Sequence, residues 1–191
     1  ALDFEITDSM DLLIRVEHAD TEGDGPASQN AGFYRTDSFD FGIDEEGFFD
    51  TNWDQAIAEL TWDVGLGDGQ IVNILAWRDY ESFTMGDIDA TQLFFFHAPA
   101  SNFQDQISNE LRYTTSIGDS YLTTGLYYFQ QDIAYRENRL LPFAPSFLQN
   151  ITGGGDQKQD TFAFFANVDM ALTDDITLNL GARYTEETKQ G

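Results

Sequence analysis

Apolar and polar positions alternate along this chain in paired runs, and the clearest pair lies near its end. Phe162, Phe164, Ala166, Val168, Met170 and Leu172 alternate with Ala163, Phe165, Asn167, Asp169 and Ala171. After Thr173-Asp174-Asp175, Ile176, Leu178, Leu180, Ala182 and Tyr184 alternate with Thr177, Asn179, Gly181, Arg183 and Thr185. A period of two sends successive side chains to opposite faces of a sheet. One face is then continuously apolar, while the other carries Asn, Asp, Arg and Thr.

The same unit recurs upstream. Alternation predicts strands near 2–6, 10–18, 53–64, 70–80, 106–117, 121–133, 160–172 and 176–187. The turns between partners fall at 7–9, 65–69, 118–120 and 173–175, where Gly-Asp-Ser, Gly-Asp-Gly and Thr-Asp-Asp supply positive-φ tolerance and Asx-type hydrogen bonds. Long polar connectors at 19–52, 81–105 and 134–158 separate the hairpins, and such lengths are uncommon in compact soluble domains. Every tight turn falls on one side of the sheet and every long connector on the other, as in outer-membrane barrels. The pattern therefore predicts an all-β fold, an antiparallel up-and-down meander of about eight strands forming part of a transmembrane β-barrel. Leu60, Trp62, Leu111, Phe164, Val168, Leu178 and Leu180 are expected to face lipid. Glu59, Glu110, Arg112, Asp169 and Arg183 are expected to face the lumen. The run 70–80 is mixed and does not fix its own facing.

Composition changes this picture in three respects. No window approaches the apolar length of a transmembrane helix, so any membrane crossing falls to the strands. The mean hydropathy of -0.36 looks soluble, but a polar lumen and polar loops mask a lipid-facing band. The 15% aromatic content, with 17 Phe, suits that band and its interfacial girdles. Trp53, Trp62, Trp77, Tyr113, Tyr121, Tyr127, Tyr128 and Tyr184 are the girdle candidates. The net charge of -25 excludes a nucleic-acid partner, because 9 basic residues against 34 acidic ones cannot neutralise phosphates. The acids Asp20, Glu22, Asp24, Asp37, Asp40, Asp44, Glu45, Glu46, Asp50, Asp87 and Asp89 read first as members of solvated connectors, with loops that bind divalent cations or draw in a cationic ligand as the sharper alternative. The chain opens at Ala1 and closes directly after a strand, and it is read as an internal piece: residues 1–191 as a partial outer-membrane barrel domain.

Candidate chemistry is sparse. Cysteine is absent, and the two histidines, His18 and His97, sit in different hairpin units. A zinc or nucleophilic constellation has almost nothing to draw on; His18 reads as a strand end at the membrane boundary. Asp20-Thr21-Glu22-Gly23-Asp24-Gly25 mimics the start of an EF-hand, but the twelfth position is Ala31 and the bidentate Glu is missing. Gly153-Gly154-Gly155 reads as a flexible loop tip. Glu59, Asp63, Glu110, Asp169 and Glu187 share the polar face with Arg15, Arg112 and Arg183. A lumenal network of Arg–carboxylate pairs explains them better than the paired acids of a glycosidase. No catalytic, cofactor-binding or metal-ligating residue is assigned, no cofactor is called for, and ligand-binding residues are unidentified.

The ordered motifs resemble one family. Gln106-Ile107-Ser108-Asn109-Glu110-Leu111-Arg112-Tyr113 and Thr124-Gly125-Leu126-Tyr127-Tyr128-Phe129 resemble successive strands of TonB-dependent outer-membrane receptors. Asp160-Thr161-Phe162-Ala163-Phe164-Phe165-Ala166-Asn167-Val168-Asp169 and Leu178-Asn179-Leu180-Gly181-Ala182-Arg183-Tyr184-Thr185 look like the next hairpin, and Ala76-Trp77-Arg78-Asp79-Tyr80 is similar to an earlier one. The resemblance implies part of a barrel of about 22 strands closed by a plug domain, with the plug and the other strands outside these residues. It also implies energy-coupled import of a scarce ligand in the Gram-negative outer membrane, a ferric siderophore first, with cobalamin or an oligosaccharide as further classes. The implied partners are membrane lipid, the receptor's own plug, the TonB energy-coupling protein and the small-molecule ligand. The chain is not expected to be an enzyme. Two other classes stay open from the residues alone: a complete eight-stranded structural or adhesion barrel, and a secreted β-sandwich binding carbohydrate or calcium.

Overall fold

The computed structural model describes residues 1–35, 37–173 and 175–191. Eight strands form one sheet in the order β1 to β8, each pairing antiparallel with its sequence neighbours. They are β1 (Leu2–Thr7), β2 (Met10–Asp24), β3 (Phe48–Val64), β4 (Gly69–Met85), β5 (Ala100–Ile117), β6 (Ser120–Leu140), β7 (Asn150–Thr173) and β8 (Ile176–Gln190). The only helical element among the described residues is a 3₁₀ turn, Ser146–Leu148. Among the described residues there is no second sheet to make a sandwich, and β1 and β8 form unpaired edges, so these eight strands do not close on themselves.

Each predicted strand is present, but most run further than expected at the long-connector end. β6 and β7 have 21 and 24 residues, roughly 70–80 Å at about 3.3 Å per residue, against a hydrocarbon core of about 30 Å. The connectors shrink accordingly to 25–47, 86–99 and 141–149. Gly153-Gly154-Gly155 is no loop tip: it lies within β7, opposite Glu137, Arg136 and Tyr135. Asp20 to Asp24 likewise belong to extended β2 opposite Asn52 to Phe48, and a strand cannot wrap a cation as an EF-hand loop does. The short turns fall where turn chemistry put them. Gly118 takes a φ of 61°, and Ile117 pairs with Ser120 around it, the setting in which a two-residue hairpin loop favours Gly first. In the last turn, Asp174 lies outside the described residues.

Register fixes the two faces, because directly opposed residues of antiparallel strands point to the same side. One row runs unbroken from edge to edge: Phe4, Leu12, Leu60, Asn73, Leu111, Leu126, Phe164 and Tyr184. A second joins Met10, Trp62, Ile71, Tyr113, Thr124, Ala166 and Ala182. The undecided strand β4 is settled by its partners. Ile71, Leu75 and Trp77 join the apolar face, and Val72, Ile74, Ala76 and Arg78 the other.

The apolar face is also the more exposed one. Along β6, Leu126, Tyr128 and Gln130 are exposed, while Gly125, Tyr127, Phe129 and Gln131 are covered. That alternation marks a sheet curled with its polar face inward. Phe162, Phe164, Leu180 and Tyr184 are 47%, 49%, 54% and 64% exposed. Among the described residues the buried apolar side chains are only Ala90 and Ala163. A water-soluble domain of this size buries its large aliphatic and aromatic residues; this one displays them as a belt. Trp62, Trp77, Tyr113, Tyr128 and Tyr184 lie on that belt as expected. Trp53, Tyr121 and Tyr127 do not: their register places them on the inward face opposite Ala19, Asp169 and Ala163.

Candidate functional site

Three regions of the sheet carry polar chemistry, and the inward face is the first. Glu59, Asp63, Glu110, Asp169 and Glu187 share it with Arg15, Arg112 and Arg183, as the alternation required. The expected Arg–carboxylate network is largely replaced by other contacts. Arg112 Nε lies 3.4 Å from Glu110 Oε1, and Glu187 pairs with Lys189 at 2.9 Å. Arg183 instead lies over the Tyr127 and Phe165 rings, at 5.4 and 6.0 Å from their centroids, and Asn179 donates to Asp169. The physical reason is register: Arg15 faces Ile57 and Arg183 faces Phe165, so neither has a carboxylate directly across the ladder. Further toward the connectors, Gln55, Arg78, Gln106, Gln131 and Gln159 form one row. Gln131 donates to Gln106 at 3.3 Å, and Arg78 sits over Trp53 and Tyr80 at 5.2 and 5.6 Å.

The second region lies on the outer face, where the apolar belt stops. On β2 to β5 the last belt row is Val16, Ala56, Trp77 and Ile107; the same row is already polar on β6 to β8, at Gln130, Asp160 and Thr188. The next contains His18, Asp54, Asp79, Asp105, Asp132, Lys158 and Gln190. Four aspartates thus stand side by side on four neighbouring strands, with a potential cation at each flank. His18 Nδ1 lies 2.9 Å from Asp54, and Lys158 Nζ donates to Asp132 at 3.0 Å. Trp77 Nε1 donates to Asp105 at 3.2 Å, tying the last belt residue to the first acidic row. His18 does mark a chemical boundary, but not a strand end, since β2 continues to Asp24. Beyond it the outer face is mixed: Asp20, Asn52, Glu81, Phe103, Ala134 and Asp156 form one row, and Glu22, Asp50, Phe83, Ser101 and Arg136 the next.

The third region is the cluster of connectors. Asn30 donates to the Asp89 carbonyl at 2.8 Å, tying 25–47 to 86–99. His97 exchanges both backbone hydrogen bonds with Leu140, at 3.1 and 2.9 Å, tying 86–99 to the end of β6. The Phe95 and Phe143 rings meet at 5.1 Å. Asp89 organises its own loop, accepting from the Thr91 hydroxyl and from the N–H groups of Thr91, Phe95 and Phe96. Burial pushes its carboxyl up, but those four hydrogen bonds outweigh burial and hold it below the usual carboxylate range. Phe33, Phe39, Phe143 and Phe147 are left largely exposed on these connectors.

The connectors also assemble a group that no sequence spacing announces. Asp44, Asp87 and His97 come from two connectors, and one ligand-capable atom from each lies within 4.8 Å of the others. His18, the other histidine, is at the membrane boundary and takes no part.

No helix among the described residues is long and apolar enough to cross a membrane, which leaves crossing by strands untouched. No curated protein matches the chain by sequence. Among solved structures, the ferric yersiniabactin uptake receptor FyuA from Yersinia pestis is similar over 95% of this chain, with a TM-score of 0.78 at 12% identity. The alcaligin outer membrane receptor FauA from Bordetella pertussis is similar over 98%, at 0.59 and 14%. The ferripyoverdine receptor of the outer membrane of Pseudomonas aeruginosa is similar over 99%, at 0.60 and 12%. The chain spans 27%, 27% and 30% of those three proteins. At such identities the likeness speaks for the fold. The family is shown by a separate match, over residues 4–191, to the family described as TonB dependent receptor-like, beta-barrel. An eight-stranded meander, an exposed apolar belt and that match agree: the chain belongs to the TonB-dependent receptor β-barrel family.

Proposed function

We propose that this chain is a stretch of barrel wall from a receptor of the Gram-negative outer membrane that imports a scarce ligand, a ferric siderophore being the favoured class. The observation that carries the reading is the sheet itself, with a largely apolar belt outside, a polar face inside and two open edges. Open edges are aggregation-prone unless further strands cover them, which supports a parent with more barrel on both sides and a plug in its lumen. The inward Gln55–Gln159 row and the Arg78–Trp53–Tyr80 group then offer the plug a hydrogen-bonding wall. Connectors 25–47, 86–99 and 141–149 lie outside the cell, and the short turns lie in the periplasm. Membrane lipid, the plug, the TonB protein and the imported molecule are the partners on this reading. Catalysis has no place in it. Three similar structures bear the names of siderophore receptors, which supports the ligand class without choosing a member.

The test is uptake of ⁵⁵Fe from a panel of ferric siderophores by cells carrying or lacking the parent gene, with and without functional TonB. Uptake of at least one should require both. Unchanged uptake of every panel member after gene deletion would overturn the siderophore reading, with cobalamin and oligosaccharides as the next ligands assayed. Topology has its own readout. Epitope tags near Gly25 and Pro145 should label on intact cells, and one at Asp119 should not. Gly154 is unsuitable for a tag because it is paired inside β7.

A further inference from the structure

The geometry points to a metal site of the zinc class, built from Asp44, Asp87 and His97, that locks connector 25–47 onto connector 86–99. The donors are one imidazole nitrogen and two carboxylates, with the atoms within 4.8 Å of one another. His97 Nε2 lies 3.0 Å from Asp44 Oδ1, a spacing suited to two ligands on adjacent corners of one tetrahedron. Asp87 and His97 are only 2% and 6% exposed.

Asp87 and His97 each also have contacts outside the donor set. Asp87 Oδ1 accepts from Ala90 N–H at 2.8 Å, and Oδ2 from Asp44 N–H at 3.1 Å; each oxygen keeps a lone pair for a metal. The His97 ring is stacked on Phe94 at 4.1 Å, and its backbone is bonded on both sides to Leu140. Outer contacts of this kind orient metal ligands and set their affinity.

Charge supplies an independent reason. Asp87 is buried, and a buried carboxylate is costly without a counter-charge. Among the described residues no Lys or Arg pairs with Asp87 or Asp44, and the sole basic neighbour is His97 itself. Two carboxylates and one imidazole are thus short of positive charge, which a divalent ion provides. A nitrogen donor and only three protein ligands favour a borderline ion such as zinc, with water completing the shell. Calcium and magnesium prefer six or more oxygen ligands. The site stands on connector geometry and does not depend on which molecule the receptor imports.

The experiment uses the full-length receptor in detergent, stripped with a chelator and titrated with zinc chloride alone by calorimetry. His97→Gln and Asp44→Asn are run beside it, with His18→Gln as a distant control. Asp44 is the exposed ligand, so its variant leaves packing intact. Wild type and His18→Gln should share a site that both ligand variants lose or bind at least about tenfold more weakly. In the same preparations, zinc should slow proteolysis within 25–47, and both ligand variants should abolish that protection. Equal zinc binding in all four proteins would overturn the assignment. So would protection by calcium but not by zinc, or an unchanged cleavage rate in wild type when zinc is added.

Discussion

The outer face of this sheet is two surfaces on one ladder. Below the row of Asp54, Asp79, Asp105 and Asp132 it is mostly Leu, Phe, Trp and Tyr; above that row it is mixed, with Asp20, Glu22, Asp50, Glu81 and Asp156 interspersed with Phe83, Phe103, Ala134 and Arg136. The backbone does not register the change. The same strands pair across the boundary, and between β2 and β7 no bulge interrupts the ladders. Hydrogen bonding between strands therefore sets where the chain goes, and side-chain polarity sets where the apolar belt ends. The belt on β7 runs from Phe162 to Met170, roughly 26 Å at about 3.3 Å per residue, close to the outward apolar band of about 25 Å in outer-membrane barrels.

The largest effect comes from removing the bilayer altogether. Residues 1–191 expressed without detergent should precipitate or form inclusion bodies, because the belt and both edges are left uncovered. A monodisperse, cooperatively unfolding soluble monomer would break the distinction between the two surfaces. Next is a charge placed within the belt. Leu178→Arg, at the Met170 end of the belt, and Leu180→Arg, deeper in it, should both impair assembly of the full-length receptor, with the larger loss, approaching about 2–4 kcal/mol, at Leu180. Asn179→Lys, between the two and facing inward beside Asp169, should assemble normally in a heat-modifiability gel. Equal tolerance at all three positions would mean that the belt is not in lipid.

A smaller effect is expected at the boundary. Asp105→Arg should change folding stability by no more than about 1 kcal/mol, the interfacial cost of a charge, as measured by urea titration in lipid vesicles. A loss matching that of Leu180→Arg would place the aspartate row inside the hydrocarbon. The smallest effect concerns the connectors. The Asp89 carboxyl is held below its ordinary value of 3.8. Its contribution to loop order is therefore complete above that value and fades as pH falls through the lower folded value. Protease cleavage within 86–99 should rise at that acidic end, and Asp89→Asn should flatten the dependence.

The same contrast explains what the sequence disclosed. In the belt, an apolar outer face and a polar inner face impose a period of two, so strands such as 162–172 and 176–184 are legible residue by residue. Above the boundary both sides are wet and the period vanishes, although the ladder continues. Gly153 to Gly155 therefore looked like a loop, and Asp20 to Asp24 like a cation-binding one. β4 was ambiguous for the opposite reason, with Val72, Ile74 and Ala76 giving its inward face an apolar cast that only its neighbours' register resolves. The Asp44–Asp87–His97 group was invisible because its first two members are separated by a complete hairpin. No spacing rule spans such a distance; the connectors' own folding creates it.

The unbroken register between β2 and β7 has an evolutionary consequence. Inserting or deleting one residue in any of these strands would rotate every later side chain of that strand to the opposite face, exchanging Leu126 for Tyr127 or Phe164 for Phe165 against the lipid. Length change without such a switch is therefore expected only in the segments between strands, of which 25–47, 86–99 and 141–149 are the longest. Such a wall can exchange its connectors without altering the lattice that holds them.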